Sequence, residues 1–248
     1  MKRITLLSSA LFVLLAITGA QASDNVSAFC ASTTKAPMTE IVQAYEKAHP
    51  GTKIDVVYTG AQVIRTNIAS DTRVDLVVVG EPTTDAVADK IELGPIIYSL
   101  TEAVLVPRGS KKIRSLKDLA TPGLKLVGPS RVSPVYGYME KMLKKASAEY
   151  GPDFQKKVED NIVITKATSA EIPAAIAAGL VDGGVGFMGD ETDKVEAIRP
   201  PAAFDVITKS HVSYLKTAAN ASGARAFGAF LVSAEAKAIF KKHHVETP

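Results

Sequence analysis

The sequence predicts an α/β protein of two lobes, each a mostly parallel sheet flanked by helices, joined by two hinge strands. Three observations predict it. Short apolar runs alternate with amphipathic helices over residues 26–89, a βαβαβα order that argues for parallel strands with helices on both faces. A second βα series begins at Ser115 and ends at Phe187. Between them, residues 96–107 form a long extended run without a helical period, ending at Pro107-Arg108-Gly109, which reads as a strand leaving one lobe for the other. The expected division is residues 23–100 plus 210–248 as lobe 1 and 101–209 as lobe 2, with hinges within 99–106 and near 206–212.

Residues 1–22 stand apart from this pattern. Lys2 and Arg3 precede an almost wholly apolar run over 6–17, and Ala20-Gln21-Ala22 has the small-x-small form of a signal peptidase site. Export is therefore expected, with cleavage after Ala22. The apolar run is shorter than the ~20 residues a spanning helix needs. Of the 29 basic residues, Lys2 and Arg3 leave with the signal, so 27 remain against 26 acidic ones. A near-neutral mature chain gives no charge-based reason to expect nucleic acid or an anionic membrane as partner. Cys30 is the single cysteine, which excludes an intrachain disulfide, and its expected place is as a small buried hydrophobe.

The first strand, 26–30, runs into Ala31-Ser32-Thr33-Thr34-Lys35-Ala36-Pro37. Met38, Ile41, Val42 and Tyr45 then fall at the i, i+3, i+4, i+7 spacing of one helical face. Pro37 suits the first turn, where its missing N–H costs nothing. The hydroxyls of Ser32, Thr33 and Thr34 precede that helix, where unpaired amides and the dipole favour an anion; an ordinary N-cap is the alternative. His49-Pro50-Gly51 stops the helix. Residues 53–58 alternate as a strand, and Thr59-Gly60-Ala61-Gln62 turns the chain into a helix carrying Val63, Ile64 and Ile68. The apolar run 74–79, broken only by Asp75, reads as a strand buried on both faces. Glu81-Pro82-Thr83-Thr84 opens a short helix over 85–89.

In the second series, 115–120 is a short helix, 124–127 a strand and 128–134 a loop, and Val135, Met139, Met142, Leu143 and Ala146 mark one face of the next helix. A strand at 161–165, a helix at 169–179 capped by Ser169, and a strand at 183–187 follow. Residues 203–207 and 212–215 read as strands. Asn220 and Ser233 are N-caps for helices over 221–231 and 234–243, which are expected to pack back on lobe 1 through Phe227, Phe230, Leu231, Ile239 and Phe240.

Residue types for covalent or metal chemistry are sparse. His49, His211, His243 and His244 fall in no metal-ligand spacing with Cys30 or a carboxylate pair, and G-x-S-x-G, P-loop and G-x-G-x-x-G motifs are absent. Gly183-Gly184-Val185-Gly186 is followed by strand-like residues, so close backbone approach accounts for it better than a phosphate cradle. Neither enzyme activity nor a cofactor or metal is expected. The recurring feature is the strand-to-helix junction, at 31–35, 59–62, 128–135 and 167–172. In open α/β sheets such loops converge beyond the carboxyl ends of the strands, where ligands bind. Helix N-termini with hydroxyls suit a small oxyanion or carboxylate.

Several segments, in this order and spacing, carry a family resemblance: Ala28-Phe29-Cys30-Ala31-Ser32-Thr33, the helix from Ile41-Val42-Gln43 to His49-Pro50-Gly51, Val74-Asp75-Leu76, Leu116-Lys117-Asp118-Leu119-Ala120, and the stretch from Ala226-Phe227-Gly228 to Ala238-Ile239-Phe240. Over essentially its whole mature length the chain resembles the periplasmic molybdate-binding proteins, type II extracellular solute-binding proteins of ABC importers. The resemblance implies a periplasmic-binding-protein-like fold of type II. It also implies a periplasmic monomer that closes two lobes on a small anionic ligand and delivers it to an importer permease in the inner membrane.

Carried across by position, the resemblance puts Thr33, with Ser32 beside it, at the first loop's hydroxyl and N–H, and Ala61, between Gly60 and Gln62, at the second loop's hydroxyl. Val135 and Ile172 fall at backbone N–H positions and Phe187 where the molybdate binders use a tyrosine. Molybdate or a tungstate-like oxyanion is the expected ligand. Because Ala61 and Phe187 lack hydroxyls, a small organic carboxylate or phosphorylated metabolite is the alternative, with Gln62, Ser133 and Tyr136 as added donors and Lys35 and Arg131 as anion-pairing charges. An adhesin or an enzyme on the same fold are the alternatives of other classes.

Overall fold

The computed structural model describes residues 24–248, so the expected signal segment lies outside the described residues. Strand β1 (Asp24–Ala31) lies between β2 (Thr52–Thr59) and β3 (Leu76–Gly80), parallel to both. Helices α1 (Lys35–Ala48), α2 (Ala61–Ala69) and α3 (Glu81–Asp85) follow these strands in turn. On α1 the spacing-predicted face is the buried one, Met38, Ile41, Val42 and Tyr45. Burying side chains of that size stabilises by roughly 1.5–3 kcal/mol each, which is what holds the helix and positions its N-terminus.

The next strand, β4 (Ile91–Pro107), belongs to two sheets. Over residues 91–101 it pairs antiparallel with β9 (Ile207–Leu215), which in turn pairs antiparallel with β3. From Glu102 it pairs instead with β7 (Gly183–Phe187), and from Val104 also with β8 (Val195–Ile198). Beyond β7 lie β5 (Leu126–Pro129) and β6 (Ile162–Lys166), parallel to one another. The second sheet is covered by α4 (Pro134–Tyr150), α5 (Phe154–Asp160) and α6 (Ile172–Ala177). Helices α7 (Ala221–Leu231) and α8 (Ala234–Lys242) return to the first sheet and α1, where Phe227, Leu231 and Phe240 are buried.

Several elements differ from the sequence expectation, each for a physical reason. The helix expected at 85–89 is α3 at Glu81–Asp85, because Pro82 fits the first turn rather than a preceding loop. On α2, Ile64 and Ile68 are buried but Val63 is half exposed, on the opposite face. The helix at 169 is capped by Thr168 rather than Ser169: the Thr168 N–H and hydroxyl both donate to Glu171 Oε2, at 3.1 and 2.9 Å. A strand expected at 203–207 is instead a 3-10 turn, Ala202–Phe204, following Pro200-Pro201, which have no N–H to give a ladder. β8 and α5 were not expected; each offers too short an apolar pattern to register.

Gly184 explains the glycine run. A Cβ there would collide with the Val127 carbonyl oxygen, and one at Gly183 would come within 2.9 Å of the Leu105 carbonyl oxygen. Close approach of β7 to its neighbours requires both positions to be bare.

Candidate ligand cleft

The loops that leave the parallel strands meet at one cavity of about 70 Å³. At the ~10–15 Å³ a single water needs, it has room for about five to seven heavy atoms. From the first sheet come the 3-10 turn at Ser32 and Thr33, the Thr59 to Gln62 junction, Gly80 at the end of β3 with Thr83 beyond it, and Tyr98, Thr208 and Ser210 from β4 and β9. From the second come Ser133 and Val135 at the start of α4, Tyr138 one turn further, Thr168 and Ser169, and Phe187 at the end of β7. No charged side chain among the described residues lines the cavity. Its polarity is made of hydroxyls, the Gln62 amide and helix N-termini, whose first amides have no intrahelical acceptor.

The hydroxyls fall into two groups. Some are engaged: Thr34 donates to the Tyr98 hydroxyl at 3.2 Å, and Ser133 Oγ accepts from the Val135 N–H at 3.4 Å. Others are not. Ser169 Oγ and Thr208 Oγ1 are buried without a hydrogen-bond partner, one from each sheet. Ser32, Thr33 and Thr34 make no side-chain cap to α1, so the ordinary N-cap alternative does not describe this turn. Gln62 has its amide oxygen held by Arg65 Nη2 at 2.7 Å, which leaves the NH₂ as its free end.

Other expected site residues are placed elsewhere. Ile172 is fully buried in the apolar layer with Val127 and Ile176, and its N–H donates to the Ser169 carbonyl. Arg131 pairs with Glu159 at 2.9 Å and stacks over the Tyr136 ring, whose hydroxyl donates to the same carboxylate at 3.2 Å. Both therefore turn from the cavity. Lys35 stands outside it, in the groove at the cleft mouth, with its Nζ 5.9 Å from the centre of the Tyr58 ring.

Cavity residues that the sequence did not single out, Tyr98, Tyr138, Thr208 and Ser210, come from the middle of elements rather than from junctions. Tyr138 stands beside Phe187, ring centres 6.4 Å apart, so a phenol hydroxyl is present next to the position that lacks one.

Electrostatics agree with the lining. Glu102, directly across the strand pair from Phe187, is completely buried with neither oxygen hydrogen-bonded. Burial, and then the nearby Asp190 carboxylate, push it well above the usual carboxylate range. Burial likewise pushes the Tyr138 phenol up to about 12, so it keeps its proton. Cys30 is buried in the core, where burial pushes its thiol up and away from the reactive thiolate.

The bacterial extracellular solute-binding protein family matches residues 26–246. The chain belongs to this family. As a member it is a solute-binding protein, and the two-sheet architecture of its described residues is the type II periplasmic-binding-protein fold. Among its relatives is the molybdate-binding protein ModA of Mycobacterium tuberculosis, 22% identical over 92% of this chain and 87% of that protein. Among solved structures it is similar to the sulfate-binding protein SubI of M. tuberculosis, with a TM-score of 0.80 at 16% identity over 90% of this chain and 86% of that one. It is also similar to AfuA of Actinobacillus pleuropneumoniae with fructose-6-phosphate bound, with a TM-score of 0.74 at 18% identity over 91% and 85%. Among the described residues of this family member, no helix is long and apolar enough to cross a membrane, and no three His, Cys, Asp or Glu side chains are grouped to hold a metal.

Proposed function

We propose that this solute-binding protein captures a small tetrahedral oxyanion of the molybdate, tungstate or sulfate type between its lobes and delivers it to the permease of an ABC importer. The observation that carries the reading is the cavity itself: about 70 Å³, free of charged side chains, with the buried hydroxyls of Ser169 and Thr208 left unpaired. An unpaired buried hydroxyl costs roughly 1–3 kcal/mol, so a ligand that accepts from both recovers what the empty site gives up. A fully ionised tetrahedral oxyanion, five heavy atoms with acceptors on every side, suits that volume and that donor set. The relatives that bind molybdate and sulfate support the class and leave the choice within it open.

The lobes in this reading are residues 23–100 plus 210–248 and residues 101–209, hinged where β4 passes from one sheet to the other and where the chain returns ahead of β9. Binding proceeds without covalent chemistry: the ligand bridges the lobes and shifts the population toward the closed form. The protein acts as a monomer in the periplasm after removal of residues 1–22. One observation favours a second reading. The mouth groove, about 890 Å³, shares Ser32 and Thr33 with the cavity and carries Lys35 and Lys194 beside Asp190, Glu191 and Asp193, so a phosphorylated or carboxylate metabolite would seat its anionic head inside the uncharged cavity and its body in the groove.

A thermal-shift and calorimetric screen of the mature protein against molybdate, tungstate, sulfate, phosphate, phospholactate and fructose-6-phosphate separates the two. A ligand that binds only the folded state raises Tm. Stabilisation by a tetrahedral oxyanion, weakened about tenfold or more by Thr33→Ala, is the expected result. A response confined to the organic phosphates favours the second reading, and no response to any anion overturns both.

A further inference from the structure

We propose that Tyr138 is a specificity-determining residue of this cleft, donating its hydroxyl to the bound oxyanion in a contact made only when the cleft is closed; this rests on the oxyanion reading above. Tyr138 rides on α4, whose Met139, Met142 and Leu143 are fully buried and hold the helix against the second sheet. Its ring is fixed edge-on to Phe187, ring centres 6.4 Å apart at 66°. Its hydroxyl nevertheless reaches the first sheet. A methyl group added at Gly80, the last residue of β3, would lie 3.4 Å from the Tyr138 oxygen and 3.2 Å from Thr208 Cγ2. Gly80 and Thr208 both belong to the first sheet, so the phenol crosses the cleft.

Two ring hydroxyls line the cavity among the described residues, and only this one changes surroundings when the sheets part. The other, on Tyr98, is buried within the first half, where Thr34 donates to it. Tyr138 and Thr208 are thus neighbours from opposite sheets at one wall of an uncharged cavity, where the Thr208 hydroxyl acts against the burial that raises the phenol. A phenol hydroxyl there donates to an anion in a short, charge-assisted bond. Because it arrives with closure, it adds to the closed state alone, and a ligand too wide to let α4 approach Gly80 forfeits it. That makes Tyr138 a test of ligand size as well as charge.

The experiment compares Tyr138→Phe with the unsubstituted mature protein, using sodium molybdate and sodium sulfate as probes, by calorimetry and stopped-flow kinetics. The phenylalanine keeps the ring against Phe187 and removes only the donor. The expected result is a Kd raised about 10- to 100-fold, carried by koff with kon unchanged, and an unliganded Tm like that of the parent. A Kd equal to the parent's, a loss carried by kon, or a fall in unliganded Tm with the anion response intact each overturns the proposal. If the parent protein binds neither anion, the oxyanion reading falls and this proposal with it; parent binding matched by Tyr138→Phe overturns this proposal alone.

Discussion

Asp75, just before β3, and Gly80, its last residue, mark two ends that treat buried polar groups in opposite ways, although they lie only about 17 Å apart at ~3.3 Å per residue. At the N-terminal end Asp75 is charged and completely engaged. Its Oδ2 accepts from the Ser27 N–H at 2.8 Å and the Ser27 hydroxyl at 2.7 Å, and its Oδ1 accepts from the Asn220 N–H at 2.8 Å. The carboxylate thereby ties β1, β3 and the entry to α7 together. At the C-terminal end Gly80 opens on a cavity with no charge, where Ser169 and Thr208 have hydroxyls without partners. One end commits its polar groups to stability, and in the proposed function the other keeps them for a ligand.

The contrast breaks most visibly at Asp75. Asp75→Ala strands the Ser27 and Asn220 amides, and a loss of about 3 kcal/mol is expected, or a Tm lower by about 6–12 °C for a chain of this size. Anion-induced stabilisation should persist in the variant. Burial alone would raise the Asp75 carboxyl, but the amides of Asn220 and Ser27 outweigh it and hold it below the usual range. With a depressed folded value, its stabilisation is present above the unfolded value of ~3.9 and is lost as pH falls through the folded one. Asp75→Asn should therefore flatten the acid limb of the stability curve, measured by urea denaturation between pH 2 and 6. Loss of the anion response at unchanged Tm would show that the two ends of β3 are not separable.

Ser169→Ala tests the opposite end. The residue is buried with an unpaired hydroxyl, so deleting the oxygen removes a desolvation cost rather than a bond. The unliganded protein should melt at the same temperature or slightly higher. Affinity for the stabilising oxyanion should fall about tenfold, about 1.4 kcal/mol. A variant that is less stable yet binds as before would place Ser169 with Asp75, as a structural group.

The junction loops were legible because a change from strand to helix period is written locally. Ala31 to Thr34, Gly60 to Gln62 and Ser133 to Val135 could be found without knowing how the sheets pack. Tyr138 could not. It lies two residues beyond Tyr136 on the same helix, about 200° around at 3.6 residues per turn, and that rotation decides everything: Tyr136 meets Glu159 while Tyr138 meets the cavity. Thr208 and Ser210 were hidden for the same reason, since they face the cleft only because β9 is inserted between β3 and β4. Arg131 looked available by adjacency, yet Glu159, remote in sequence, takes its charge. Long-range pairing, β8 against β4 included, is what a one-dimensional pattern leaves unspecified.

Asp190 has a trait of each end, and it sharpens the comparison by the smallest margin. Its Oδ2 accepts from the Phe187 N–H at 2.9 Å, a structural bond like those of Asp75, but it also lines the groove at the cleft mouth. Burial, opposed by that bond and reinforced by Glu191, pushes it up to about 7. A carboxyl whose folded value is raised contributes its full stability below the unfolded value of ~3.9, and that contribution is lost as pH rises toward 7. Asp190→Asn keeps an oxygen acceptor for the Phe187 N–H and cannot ionise. It should match the parent near pH 4 and be more stable at pH 8 by about 1 kcal/mol, the part left after solvent at this half-buried groove position screens the full linkage value of about 4 kcal/mol, read as a Tm higher by about 2–4 °C. Oxyanion affinity at pH 8 should rise as well, because a like charge leaves the cleft mouth. A variant less stable at pH 8 would mean that the Asp190 charge is satisfied as Asp75 is, and that the boundary between the stapled and open polar groups lies nearer the cavity.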